Sequence, residues 1–341
     1  MENLTANKAY KILCNIGESV DFNIGGIDYP VNIHDLAKPE NISRIYRIQF
    51  SRTPKPIYLD EVLKVISHNP GISLRFYGDY PEDTIDWDKL HPVRRLSIDL
   101  WHTKSLTGVS KLINLKELGI HKHVTSAVSL KVVEPLVNLE TLSTSISKDI
   151  EAIASLKGLR FLSLSNIKGS TLHFLKALTQ LHRLRLSLGG FDNFEGITQL
   201  PKLKQLSFHQ VRGINDQTAN DVIGQCTSLE ALELQNLKHI TSLNFLEGLP
   251  NLNFLRLDGL KNIETYKPVL LCKNLKKLST TDSRPVDKDL KPLINLDDIS
   301  LGDSYSKQAI GDFLTEYKGT ALWIRGKDYR AYSEYKNPFD I

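Results

Sequence analysis

Seven side chains in this 341-residue sequence carry groups suited to gripping another molecule: Tyr77, Phe161, Arg183, Arg185, His209, Phe254 and Arg256. Aromatic rings offer large rigid apolar faces and guanidinium groups offer five donors each, and these types dominate the energetics of protein interfaces. Their spacing matters as much as their type. Each stands at the third, fifth or seventh position of a recurring phrase, Leu-x-x-Leu-x-Leu-x. On a strand, residues at those positions point away from the buried leucines with which they alternate. A Phe on an otherwise polar strand face gains little unless something covers it. Phe161 and Phe254 therefore point most directly to contact with another surface.

Chemistry of other kinds finds little support. The sequence holds no G-x-S-x-G, H-E-x-x-H or C-x-x-C motif and no glycine-rich phosphate loop. His121-Lys122-His123 places two imidazoles on one strand face without a third ligand. Asp297, Asp298 and Asp303 lack the spacing of a calcium loop and read as solvated charges. Cys226 and Cys272 each stand three residues before a phrase, in a slot that other copies fill with Leu, so they read as small buried hydrophobes. With Cys14 they make three dispersed thiols, as expected of a reducing compartment. We therefore expect no enzyme, no cofactor and no metal.

The elements that position the seven residues are announced by the repeat itself. The phrase begins at Ile45, Gly71, Val93, Leu115, Leu139, Leu159, Leu181, Leu203, Leu229, Leu252, Leu275 and Leu296, with starts 20–26 residues apart and a degenerate last copy at Thr320–Arg325. Just ahead of many copies stands a second phrase, as in Leu178-x-x-Leu181 and Leu249-x-x-Leu252. Spacing by two is the strand period, and spacing by three returns apolar residues to one side of a tight helical turn. Each coil thus reads as a strand, a corner, a compact return and a second corner. No coil can cover its own leucines, so stacking must bury them in one continuous core.

Over residues 45–325 the chain resembles the leucine-rich repeat family, closest to its short-coil bacterial and SDS22-like classes. The resemblance implies an α/β solenoid shaped as a horseshoe, with a parallel sheet on the concave face and short helices or 3-10 turns on the convex one. It also implies a partner bound on the concave face. One departure stands out. The family places Asn or Cys at the ninth position, where it holds the corner backbone, but here that position is His123, Ile167, Gly189, Val211, Leu237, Leu260 and Ser283. Irregular corners are expected in consequence. Thr144 and Thr280, at the sixth position, would each bring a hydroxyl inside.

Solenoid ends need covers. Residues 1–44, with apolar alternation around Gly25-Gly26, read as an N-terminal cap; residues 45–303 as the solenoid; and residues 304–341 as a C-terminal cap with an aromatic tail of Tyr329, Tyr332, Tyr335 and Phe339. Helices are expected at Leu59, Val62, Leu63 and Ile66, at about 217–225 behind Asn215 or Asp216, and at about 306–318. The net charge of +4 is spread among interleaved acids and bases, unlike the concentrated stripe of a nucleic-acid binder. No apolar run is long enough to span a bilayer, and the N-terminus lacks a basic start followed by an apolar block, so a cytoplasmic location is expected. Together these features predict a non-enzymatic scaffold binding a protein: an adaptor, an inhibitor or an immunity-like partner of a toxin or regulatory enzyme. A host-directed bacterial effector, using the repeats as a substrate reader, is the alternative. Such effectors usually carry a catalytic domain, for which the repeats leave no room.

Overall fold

The computed structural model describes residues 10–121, 128–330 and 338–339. The chain forms two compact units, Met1–Leu159 and Arg160–Ile341.

The first unit opens with an antiparallel meander of β1 (Ile12–Ile16), β2 (Val20–Ile24) and β3 (Ile27–Pro30). Alternation buries Ile12, Cys14, Ile16, Val20, Phe22 and Ile24. Gly25 and Gly26 turn the β2–β3 hairpin at φ of 61° and 89°, which side chains rarely tolerate. β1 also pairs in parallel with β4 (Ile45–Phe50), so the meander continues the sheet. β5 (Ser73–Gly78), β6 (Arg95–Leu100), β7 (Glu117–Ile120) and β8 (Thr141–Thr144) follow in parallel and in chain order. Between β4 and β5 the return is a helix, Pro56–His68. Its Leu59, Val62, Leu63, Val65 and Ile66 are buried on the side that the apolar spacing indicated. Later returns shrink to 3-10 turns such as Thr107–Lys111. The Thr144 hydroxyl finds the partner that the sequence left open, accepting from the Ile146 N–H at 3.1 Å.

The second unit repeats the coil more strictly. β9 (Phe161–Ser165) is followed by β10 (Lys168–Thr171), β11 (Arg183–Ser187) and β12 (Gly190–Asn193), with β10 and β12 forming a small parallel sheet of their own. The main sheet runs from β9 and β11 through β13 (Gln205–His209), β14 (Ala231–Gln235), β15 (Phe254–Asp258), β16 (Lys277–Thr281) and β17 (Asp298–Leu301) to β18 (Ala321–Ile324), all parallel. An antiparallel β19 (Lys327–Arg330) ends it. Positions one, four and six stack as a core column: Leu181, Leu184, Leu186, Leu203, Leu206 and Phe208 are fully buried. Returns are 3-10 turns such as His173–Ala177 and Asn244–Gly248. The helix expected to reach 225 is shorter. Asn215 caps it by accepting from the Thr218 N–H, it runs over Asp216–Asp221, and a 3-10 turn replaces it from Ile223. The last helix is Lys307–Glu316, capped by Ser306.

The corners of this unit are regular, contrary to the expectation drawn from the missing Asn. The residue after each of β9, β11, β13, β14, β15 and β16 is left-handed: Asn166, Leu188, Gln210, Asn236, Gly259 and Asp282 have φ of 59°, 54°, 52°, 53°, 67° and 49°. That conformation costs a non-glycine residue about 1–2 kcal/mol. It aims the N–H at the neighbouring coil, where Asn166 donates to Ser187 O, Leu188 to His209 O, Gln210 to Gln235 O, Asn236 to Asp258 O and Gly259 to Thr281 O, all within 2.7–2.9 Å. A main-chain ladder thus satisfies the corner that a side-chain ladder holds in the family pattern. Position nine is left free to bury Ile167, Val211, Leu237 and Leu260. Ser283, the polar exception, accepts from the Leu260 N–H at 3.0 Å.

Candidate partner-binding face

Parallel register sets residues of like position side by side. On the second unit, Phe161, Arg183, Gln205, Ala231, Phe254 and Lys277 form one row of the open face of the sheet, and Ser163, Arg185, Ser207, Glu233, Arg256 and Ser279 form the next. His209, beside Gln235, belongs to a third row with Ser187 and Asp258. Six of the seven residues singled out from sequence therefore share one face. Tyr77 lies on the first unit, beside Asp99.

One half of the second unit's face is closed by its own polar groups. Glu233, only 4% exposed, accepts from the Ser207 hydroxyl at 2.6 Å and from Gln235 Nε2 at 2.9 Å, and Arg256 Nη1 stands 3.5 Å away. Arg256 Nε also donates to Asp258 Oδ2 at 2.8 Å. Ser207, expected on an open floor, is buried under this network rather than in the leucine core. Asp298, expected to be solvated, is also buried, 3.2 Å from the Lys277 ammonium. Close packing of the rows removes water that an isolated strand would keep.

The other half is arranged differently. Arg183 and Arg185 have no ion pair among the described residues. Arg183 lies over the Phe161 ring at 5.5 Å and donates from Nη2 to the Pro338 carbonyl at 3.1 Å. Arg185 donates from Nη2 to the Phe339 carbonyl at 3.0 Å. Burial, and then the charge of Arg185 two residues along the strand, hold the Arg183 guanidinium below its ordinary range. The Phe339 ring stands 6.1 Å from that of Phe254, tilted by 53°, and these two residues and Ala231 form a buried cluster. Phe254 is therefore on the predicted face but is not open: Phe339 covers it. Sequence reasoning flagged both, Phe254 as a Phe in need of a cover and Phe339 as part of an aromatic tail, without joining them. Of that tail, Tyr332 and Tyr335 lie outside the described residues.

On the first unit, Arg75 stacks on Tyr77 at 4.5 Å, and Trp101 meets Tyr77 edge-on at 6.0 Å. Arg75 also pairs with Asp99 through Nε at 2.7 Å and donates from Nη1 to Gln49 Oε1 at 2.9 Å. Tyr77, Tyr80 and Trp101, with Arg52 and Lys55, line an open cleft of about 610 Å³. Among the described residues no three His, Cys, Asp or Glu side chains gather to hold a metal; Lys122 and His123 of the histidine pair's segment fall outside them. No described helix is long and apolar enough to cross a membrane.

No family model matches the chain, and no curated protein does. Among solved structures it is similar to an internalin (inlF) from Listeria monocytogenes, with 20% identity and a TM-score of 0.46 over 63% of this chain and 68% of that one. It is also similar to internalin C2 from the same species, with 22% identity and a TM-score of 0.45 over 58% of this chain and 84% of that one. The leucine phrase, the parallel register and the tight returns, present in both units, give this chain the fold of a leucine-rich repeat solenoid.

Proposed function

We propose that the protein is a non-enzymatic scaffold that holds a protein partner on the open face of its sheet, in the cytoplasm. What chiefly supports this is the state of Arg183 and Arg185. Among the described residues their charges meet no carboxylate, and their side chains donate to the main-chain carbonyls of Pro338 and Phe339. A guanidinium offers only donors, and a protein surface supplies the matching acceptors in quantity. Phe161, half-buried beside them, adds an aromatic anchor. Buried cysteines fit a reducing compartment: burial pushes the thiols of Cys14 and Cys226 up to about 12 and that of Cys272 up to about 11. An inhibitor, an adaptor and a toxin's immunity partner would all use such a face.

Affinity capture from native lysate tests the reading. Phe161→Asp should lower recovery of the partner at least about tenfold, while Lys176→Glu, on an exposed return turn, should leave it unchanged. Equal recovery with both variants would remove this face from consideration.

A further inference from the structure

The contact between the C-terminal segment and the sheet has the makeup of a bound peptide. Pro338 and Phe339 lie 155 and 154 residues from the arginines that hold them, so chain proximity does not explain the contact. Two consecutive carbonyls are each met by one guanidinium, and the side chain between them enters an apolar site made by Phe254 and Ala231. Proline has no N–H, so this segment presents acceptors to a surface that offers donors. Elsewhere on the face the cations are matched from within: Arg256 by Asp258 and Lys277 by Asp298. Arg183 and Arg185 are matched by the segment. Among the described residues the apolar part of the contact is three residues, Ala231, Phe254 and Phe339, few enough for an incoming chain to replace.

We propose that the face around Arg183, Arg185, Ala231 and Phe254 is a recognition site for a peptide segment bearing an aromatic residue, and that Pro338–Phe339 of this same chain is its resident occupant. The inference deepens the binding role proposed above and rests on it for the identity of the face. A partner that uses this site brings an exposed segment with an aromatic side chain and an accessible pair of carbonyls, and it displaces the tail. Occupancy in cis sets a threshold, because a tethered segment competes at an effective concentration on the order of millimolar.

The test uses the full-length chain and a labelled peptide, Tyr-Lys-Asn-Pro-Phe-Asp-Ile, matching residues 335–341 and capped at both ends. Fluorescence anisotropy should show the peptide binding Phe339→Ala at least about tenfold more tightly than the wild type, whose site is filled. Adding Arg185→Gln to Phe339→Ala should abolish that gain. So should replacing the peptide's own Phe by Ala, a change that leaves the protein untouched and so separates recognition from folding. Equal binding to wild type and Phe339→Ala, or indifference to the peptide's Phe, would overturn the proposal. So would a wild-type dimer that dissociates on Phe339→Ala, since the tail would then fill a second copy's site. Peptide recognition with no partner captured from lysate would uphold this inference and count against the binding role. A partner lost through Phe161→Asp, alongside a peptide that never binds, would do the reverse.

Discussion

The two units are built from one phrase but settle their corners and their faces differently. In the first, the Arg75 charge is met within the sheet by Asp99, Gln49 and the Tyr77 ring. In the second, Arg183 and Arg185 are met by carbonyls from the C-terminal segment. A strand-face arginine that finds its acid is part of the fold. One that does not is available to whatever brings acceptors. The corners differ in the same sense. The second unit turns through a left-handed residue after strand upon strand, whereas the eighth position of the phrase in β6 is still strand: Leu100, its last residue, is fully buried and not left-handed. Equal spacing of leucines therefore does not imply equal coils.

Glycine at the corner breaks this comparison most sharply. Leu100→Gly should cost about 4 kcal/mol, because a fully buried side chain leaves a cavity. Leu188→Gly should instead gain about 0.5 kcal/mol, because its side chain is 49% exposed and its φ of 54° suits glycine. Urea unfolding of both variants would show it, and a loss at both positions would mean the corners are equivalent.

Removing one member of each charge arrangement should have the next largest effect. Asp99→Ala should destabilise by about 3 kcal/mol, since it leaves Arg75 largely buried without its acid. Arg183→Gln should cost about 1 kcal/mol, since a hydrogen bond to a neutral carbonyl and a cation–π contact with Phe161 are lost without stranding a buried charge. Similar losses at the two sites would mean that the tail contact is as much a part of the fold as the Arg75 network.

The smallest effect concerns the thiols, one buried on the first unit and two on the second. Their folded values stand above the ordinary 9.0, so the folded state holds the proton more tightly than the unfolded one. Any stability this contributes is present below pH 9 and is lost as pH rises toward about 11 for Cys272 and about 12 for Cys14 and Cys226. At pH 8 a disulfide-exchange reagent should therefore label the native chain no faster than it unfolds, on both units alike. Fast labelling confined to one unit would mark that unit as the looser.

Much of the fold was legible because leucine spacing states the physics of a strand and its return. Leu181, Leu184 and Leu186 are buried for the reason their spacing implied, and the helix Pro56–His68 buries the residues its period selected. Six residues proposed for binding share one face because parallel register follows from a constant coil. The corner was misjudged because the absent Asn looked like an absent support; the support is main-chain hydrogen bonding between coils, which leaves no mark on side-chain identity. Ser207 was placed on an open floor because alternation tells which way a side chain points, not what its neighbours cover.

Periodicity alone, then, determined that coils stack and which side chains face outward, since both depend on interactions repeated every 20–26 residues. Which outward groups neutralise one another, and where Phe339 comes to rest, only the tertiary structure decided. Apart from neighbours on one strand such as Arg256 and Asp258, those contacts join residues on different coils, as Ser207 with Glu233, or more than 150 residues apart, and nothing in a local pattern encodes a partner at that distance.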